Sequence, residues 1–267
     1  MRGVYYGGLR SGVCSVGPGK TPSFCEVLSK TCLAPSLTRA ISACMHDLDK
    51  SILERRSVRG FLPAALVPNA TLKEVLQLAQ HTPSNCNVQP WRVFVAEGAR
   101  RDTLSQRLLA ELDGGNFGNP DDPIDVFADG YRTLQIECAV ELYGAMGVGR
   151  DDHEGRLRGL RRNYEFFDAP QVMVIAMDQS FGLGVALDVG MYVQTLMLAM
   201  TSRGIASCAQ ASLRHYPHIL RDELGISEEL RILCGLSFGY EDPAIPANQA
   251  RQRRQPLENN VTFVPQA

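Results

Sequence analysis

The feature that most confines the fold is an apolar run, "DVGMYVQTLMLAM", residues 188–200. Read as a helix over 188–203, it is apolar nearly all round, and such a helix must be covered on every side. Asp188 and Gln194 interrupt it, Arg203 closes it, and Gly204 is a suitable C-terminal cap. It is too short and too broken for a bilayer span, and reads as a buried helix of a soluble domain. A small domain cannot easily cover such a helix alone, so a second copy of the chain is expected against it. The 267 residues, 45% apolar, suffice for a substantial core. A net charge of −2 gives no ground for a nucleic-acid or membrane partner.

Other elements follow in order along the chain. "MHDLDKSILERRSV" offers Leu48, Ile52 and Leu53 at helical spacing. "TLKEVLQLAQHTPS" carries Thr71 and Glu74 as a capping box, with Leu72, Val75, Leu76 and Ala79 on one face. "WRVFVAE" is a strand, and "GARRDTLSQRLLAEL" and "YRTLQIECAVELYGAMG" are helices. "DGGNFGNPDDP" is a polar loop, and "RLRGLRRNYEFFDAP" is basic and aromatic as far as Pro170. "QVMVIAMD" is a buried strand, "SLRHYPHILRDELGI" a short helix, "LRILCGLSFGY" a strand, and "NNVTFV" a last strand. The irregular alternation of helices and strands favours an α+β fold over a doubly wound sheet.

Residues 1–45 stand apart. They hold six serines, several basic residues and one acid, Glu26, with no helix or strand period. This composition fits a disordered extension, a transit peptide, or a segment upstream of a start at Met45. The folded domain is accordingly expected over 46–267, cytoplasmic, or organellar if the extension is a transit peptide. "GPGKT" within it imitates a P-loop, but Cys14 stands where that pattern needs glycine and no strand precedes it. The eight cysteines form no C-x-x-C pair and read as reduced, scattered thiols. His215 and His218 flank Pro217, which spoils a helical ligand pair, so no metal is expected.

Three constellations carry possible chemistry. "ERRSVRGF" places Arg55, Arg56 and Arg59 around Ser57, a set suited to a phosphate or to a solvated basic face. Arg55 and Arg59 share a helix face if the first helix continues. "TPSNCNVQPW" puts amides and hydroxyls in a stiff loop before a strand, held by Pro83 and Pro90. "SRGIASCAQAS" is a run of small residues, either a tight turn or a surface that lets backbone approach a flat ring. A second basic group, "RQRR", lies at 251–254.

In this order the motifs resemble the FMN-dependent nitroreductase family. The matches are "RRSVR" at 55–59, "PSNCNVQPW" at 83–91, "NYEFFDAP" at 163–170, "DVGMYVQTLMLAM" at 188–200 and "GYEDPAIPANQARQRRQPL" at 239–257. The resemblance spans about 47–264. It implies a central, mostly antiparallel sheet flanked by helices, in a homodimer that exchanges its C-terminal segment. Arg55, Ser57 and Arg59 would contact the flavin phosphate and ribityl chain, with Arg56 adjacent. Asn87 and Gln89 would bond the ring or the nicotinamide side. Pro83, Ser84 and Asn85 would lie near the flavin, usually from the partner subunit. The backbone around Ala209, Gln210 and Ala211 would face the ring, and Arg251 and Arg254 would close on the phosphate. Many members have proline where this chain has Ala209, and the lid region, about 113–165, matches loosely.

The implied activity is a two-step exchange. NAD(P)H reduces FMN, and a nitroaromatic, quinone or similar small acceptor then takes the electrons. The flavin carries the chemistry, so no catalytic side chain is named, although His81 and Tyr164 have the chemistry of proton donors. Alternatives are an FMN-binding or sequestering protein without turnover, or another flavin reaction such as dehalogenation or benzimidazole formation.

Overall fold

The computed structural model describes residues 47–116 and 118–265, so the expectations for the N-terminal segment lie outside the described residues. Strand β2 (Gln171–Asp178) is buried along its length except at Asp178, and a strand buried on both faces requires a layer on each. It pairs antiparallel with β1 (Arg92–Glu97) on one side and β4 (Leu230–Gly239) on the other. β3 (Ala206–Gln210) pairs antiparallel with β4, giving the order β1-β2-β4-β3.

Alternation along β2 sorts the core into two clusters. Val172, Val174 and Ala176 face a cluster with Leu104 and Leu108 of α3 (Gly98–Asp113), Tyr164 at the end of α5 (His153–Tyr164), and Ile219 and Leu220 of α7 (Pro217–Leu224). Met173, Ile175 and Met177 face the other, with Leu72 and Val75 of α2 (Asn69–Ala79) and Val189, Tyr192 and Leu196 of α6 (Leu183–Thr201). The result is a sheet between two helical layers, as the α+β reading expects. Two helices lie largely outside these layers. These are α1 (Asp47–Glu54), in which only Ser51 is buried, and α4 (Asp129–Ala145), in which no residue is buried.

Several expectations need correction. α2 begins at Asn69 after Pro68, whose carbonyl accepts from Leu72 N, so Thr71 sits inside the first turn and caps nothing. α1 stops at Glu54, and its apolar residues Leu48, Ile52 and Leu53 are exposed in the protomer. The small-residue run is a strand, β3, because five backbone positions pair with β4. "NNVTFV" is no strand: residues 259–264 lie exposed without a ladder partner among the described residues, and β-propensity alone does not make a strand. α6 starts at Leu183, earlier than expected. It buries one face on the sheet and leaves Leu183, Leu187 and Met191 exposed on the other.

Candidate functional site

The arginine segment leaves α1 and runs extended, so Arg55 and Arg59 share no helix face. Ser57 forms a parallel bridge to Ser207, and Val58 N donates to Ser207 O at 3.1 Å, laying the segment along the outer edge of β3. Burial pushes the Cys208 thiol of β3 up, while the charges of Arg59 and Arg55 and the Ser57 hydroxyl pull the other way. Those three side chains therefore gather over β3. Among the described residues the Arg55 guanidinium has no protein acceptor, and that of Arg59 donates only to Ser57 O at 3.2 Å. Arg56 is differently placed. It donates to both carboxylate oxygens of Glu241 at 2.5 Å, so its charge is already matched.

Asn248 joins this segment to the C-terminal one. Its Oδ1 accepts from Arg59 N at 2.7 Å, and its Nδ2 donates to Gly60 O at 2.8 Å and Asp242 O at 2.9 Å. The side chain is buried, and every one of these bonds bridges irregular backbone. Arg251 Nη1 donates to the Asn248 carbonyl at 2.7 Å, which brings the second basic group to the first. Arg254 reaches only the carbonyls of Gln252 and Arg253. Asn248 escaped the sequence reading, since one Asn in a loop carries no signal by itself.

The amide loop is built around strain. Cys86, Asn87 and Gln89 adopt φ of 48°, 56° and 47°, in the left-handed region that disfavours side chains other than Asn. Such conformations persist only when surroundings hold them. Trp91 anchors one end by stacking on Tyr192 at 4.7 Å and donating from Nε1 to Gln80 Oε1 at 3.0 Å. Gln89 N donates to Ser84 Oγ at 3.0 Å, and Asn85 N donates to Asp188 Oδ2 at 3.0 Å. Asp188 is buried, and this bond explains the acid that interrupts the apolar helix. Pro83, Asn85, Asn87 and Gln89 are exposed, Ser84 half-buried, and Gln89 Nε2 donates to Asn87 O at 3.1 Å.

On β3, Ala209 and the following Ala211 are exposed while Gln210 points inward. Gln210 Nε2 donates to Asn163 O at 2.7 Å and its Oε1 accepts from Ser237 Oγ. The side chain therefore fixes β3 to β4 and α5, and only the backbone and the two methyl groups face outward. Tyr164 is buried edge-on to Tyr216 in the core, and burial raises its hydroxyl well above the ordinary tyrosine range.

The amide loop leads into edge strand β1, whereas Ser57 and Arg59 lie beside the opposite edge strand, β3, with β2 and β4 between. One protomer therefore unites the arginine, small-residue and C-terminal groups but keeps the amide loop apart. Beside Arg59, α4, α5 and residues 245–247 enclose a cavity of about 270 Å³.

Comparison with known proteins gives a consistent set of matches. The nitroreductase family model matches residues 52–240. A 4-nitrobenzoate reductase of Nocardioides sp. (strain LMS-CY) is 35% identical over 226 residues, covering 82% of this chain and 91% of the relative. Nitroreductase NfnB of Mycolicibacterium smegmatis is 38% identical over 218 residues, 80% of this chain and 92% of the relative. The solved structure of the FMN-dependent nitroreductase NfnB from Mycobacterium smegmatis, in complex with NADPH, superposes with a TM-score of 0.78 at 36% identity, covering 82% of this chain and 98% of that one.

Proposed function

The chain belongs to the nitroreductase family, and we propose that it is an FMN-dependent NAD(P)H oxidoreductase that reduces nitroaromatic, quinone or similar conjugated acceptors. The observation that carries this reading is the junction at Asn248. It joins Arg59, on the segment that also carries Arg55, to Arg251 beside a strand whose exposed residue is Ala209. The donor set fits FMN. Guanidiniums without carboxylate partners suit one terminal phosphate, and a flat methyl-lined backbone suits a ring. When bound, FMN supplies the redox chemistry of a two-step exchange, a hydride in from NAD(P)H and electrons out to the acceptor.

The chain's own residues bind and orient. Arg55 and Arg59, with Ser57, Arg251 and Arg254, hold the phosphate and ribityl end, and Arg56 fixes the segment through Glu241. The backbone at 209–211 lies against the ring, kept straight by the inward bonds of Gln210. Asn87 and Gln89 present amides to the ring or nicotinamide, and Pro83, Ser84 and Asn85 shape that loop.

The loop and the arginines lie at opposite sheet edges, so the complete site takes the loop from a second copy. The exposed apolar residues of α1, the outer face of α6, and Phe263 and Val264 of the C-terminal segment supply surface for that homodimer. Exchange of the C-terminal segment between subunits is part of the same proposal, as is a cytoplasmic setting.

Two measurements on the purified protein test the reading. Heat-released cofactor should co-migrate with FMN, and NADPH or NADH should be oxidised only when a nitroaromatic acceptor is present. Recovery of FAD, or flavin without turnover on any acceptor, contradicts it.

A further inference from the structure

The cavity between α4 and α5 has a lining that cofactor binding leaves unexplained. Leu142 and Tyr143 of α4, Met146 just beyond its end, and Phe167 give it an apolar, aromatic wall. Its polar groups are Arg59, Arg158, Arg162 and Asn163, and no carboxylate lines it. Gly159 makes the wall possible: a Cβ there would stand 2.9 Å from the Tyr143 ring, so glycine lets that ring lie over α5 beside the arginines.

The three guanidiniums are unequally matched. Burial opposes the charge of Arg162, but Asp168 at 2.7 Å and Glu165 at 3.5 Å together outweigh it and hold that arginine charged. Arg158 has only Asp152 at 3.9 Å and Glu154 at 3.7 Å, both too far for a hydrogen bond. Arg59 donates to one carbonyl. The cavity is thus cationic, with two arginines short of acceptors.

Size narrows the ligand. A cavity of about 150 Å³ takes benzene, so one of about 270 Å³ takes a single ring with substituents. Pockets for larger ligands run from roughly 300 Å³ upward, which argues against the adenosine half of a nicotinamide cofactor. We propose that this cavity is the acceptor pocket, that it selects aromatic acceptors bearing a carboxylate, and that Arg158 determines that specificity. The ring lies against Tyr143, Leu142 and Met146, and the carboxylate pairs with Arg158. Arg59, shared between this lining and the phosphate-binding group, makes the cavity continuous with the cofactor site. That continuity rests on the function proposed above, whereas carboxylate binding does not.

The test uses the purified protein with its cofactor and two unreactive probes, benzoate and benzamide, titrated by calorimetry. Benzoate should bind more tightly than benzamide. Arg158→Gln should weaken benzoate about fivefold to tenfold, at the low end for a charge-assisted pair because the side chain is 66% exposed. Benzamide binding should not change, and Arg158→Lys should recover part of the loss. In turnover, Arg158→Gln should raise KM for 4-nitrobenzoate but not for nitrobenzene, with flavin content unchanged. Unchanged benzoate binding in Arg158→Gln, or equal weakening of both probes, overturns the proposal. So does a rise in KM for NADPH with benzoate binding intact, which would assign Arg158 to the co-substrate. If benzoate binds through Arg158 but no nitroarene is reduced, the pocket stands and the proposed reaction falls. If nitroarenes are reduced without any dependence on Arg158, the reaction stands and the pocket proposal falls.

Discussion

Replacing Asp188 by alanine separates the order of the amide loop from the stability of the fold. The Asp188 carboxylate is 5% exposed and accepts from Asn85 N at 3.0 Å. A hydrogen bond to a charged group contributes about 1.5–3 kcal/mol. The loop it holds contains three non-glycine residues with positive φ, of which Cys86 and Gln89 are each strained by about 1–3 kcal/mol. One lost bond is thus comparable with the strain at one residue. The ties that remain, among them Gln89 N to Ser84 Oγ, Asn87 N to Ser84 O and the Trp91 stack, keep the loop attached but not in one conformation.

Global stability should change less than the bond alone suggests, because the variant also removes the cost of burying a carboxylate. The expected result is a Tm shift of a few degrees, with a flavin dissociation constant or hydride-transfer rate worse by about tenfold, at about 1.4 kcal/mol per decade. Asp188→Asn keeps an acceptor and should fall between the two. Flavin fluorescence titration, stopped-flow reduction and amide exchange at residues 84–89 measure these effects. Wild-type flavin affinity and reduction rate together with unchanged exchange at the Asn85 amide would refute the reasoning.

Other consequences can be measured independently. Arg55→Ala should weaken FMN binding by about one to two decades through lost charge-assisted bonds, and excess FMN should restore most activity; normal affinity would remove Arg55 from the site. Asn87→Ala should instead slow flavin reduction by NAD(P)H at saturating FMN, and full rescue by added FMN would show its role to be misassigned. Light scattering should give about twice the chain mass, and a stable monomer that retains flavin would contradict a site completed by a second copy. Burial raises Cys234 from an ordinary 9.0, and Tyr192 from 10.0, each to about 12, and it raises Cys208 also. Folded values above unfolded ones mean stability is full below about pH 9 and is lost as pH rises toward 12; a denaturation midpoint flat between pH 8 and pH 11 would contradict this.

What could be read from the sequence was what short-range periodicity encodes. β2, α6 and the core face of α2 follow from uninterrupted or 3.6-spaced apolar residues; the structure buries β2 and the face of α2 as that spacing requires, but only one face of α6. β3 was ambiguous because Ala, Ser and Cys carry little strand propensity. It exists through partners remote in sequence, β4 and the bridge from Ser57 to Ser207. The capping box failed for a related reason: Thr71 and Glu74 have the right spacing, but the helix is capped at Pro68, three residues before Thr71. The exposed leucines of α1 follow helical spacing too, yet nothing among the described residues covers them.

The candidate site divides along the same line. Its donors were visible as residue types in order, because arginine clusters and amide-rich loops are compositional signals. The residues that place those donors were not. Asp188 read as a flaw in an apolar helix, Asn248 as one more loop amide, and Glu241 as an ordinary acid. Each matters through bonds to backbone or side chains 103 to 189 positions away. The order of motifs along the chain also conceals that the amide loop and Arg59 fall at opposite edges of one sheet. The apolar face left open on α6 and the placement of the amide loop and Arg59 at opposite sheet edges are separate observations, and the proposed homodimer accounts for both. A second copy that buries Leu187 and Met191 against itself can also deliver its loop to the first copy's arginines, so assembly and cofactor affinity should fail together when that face is made polar.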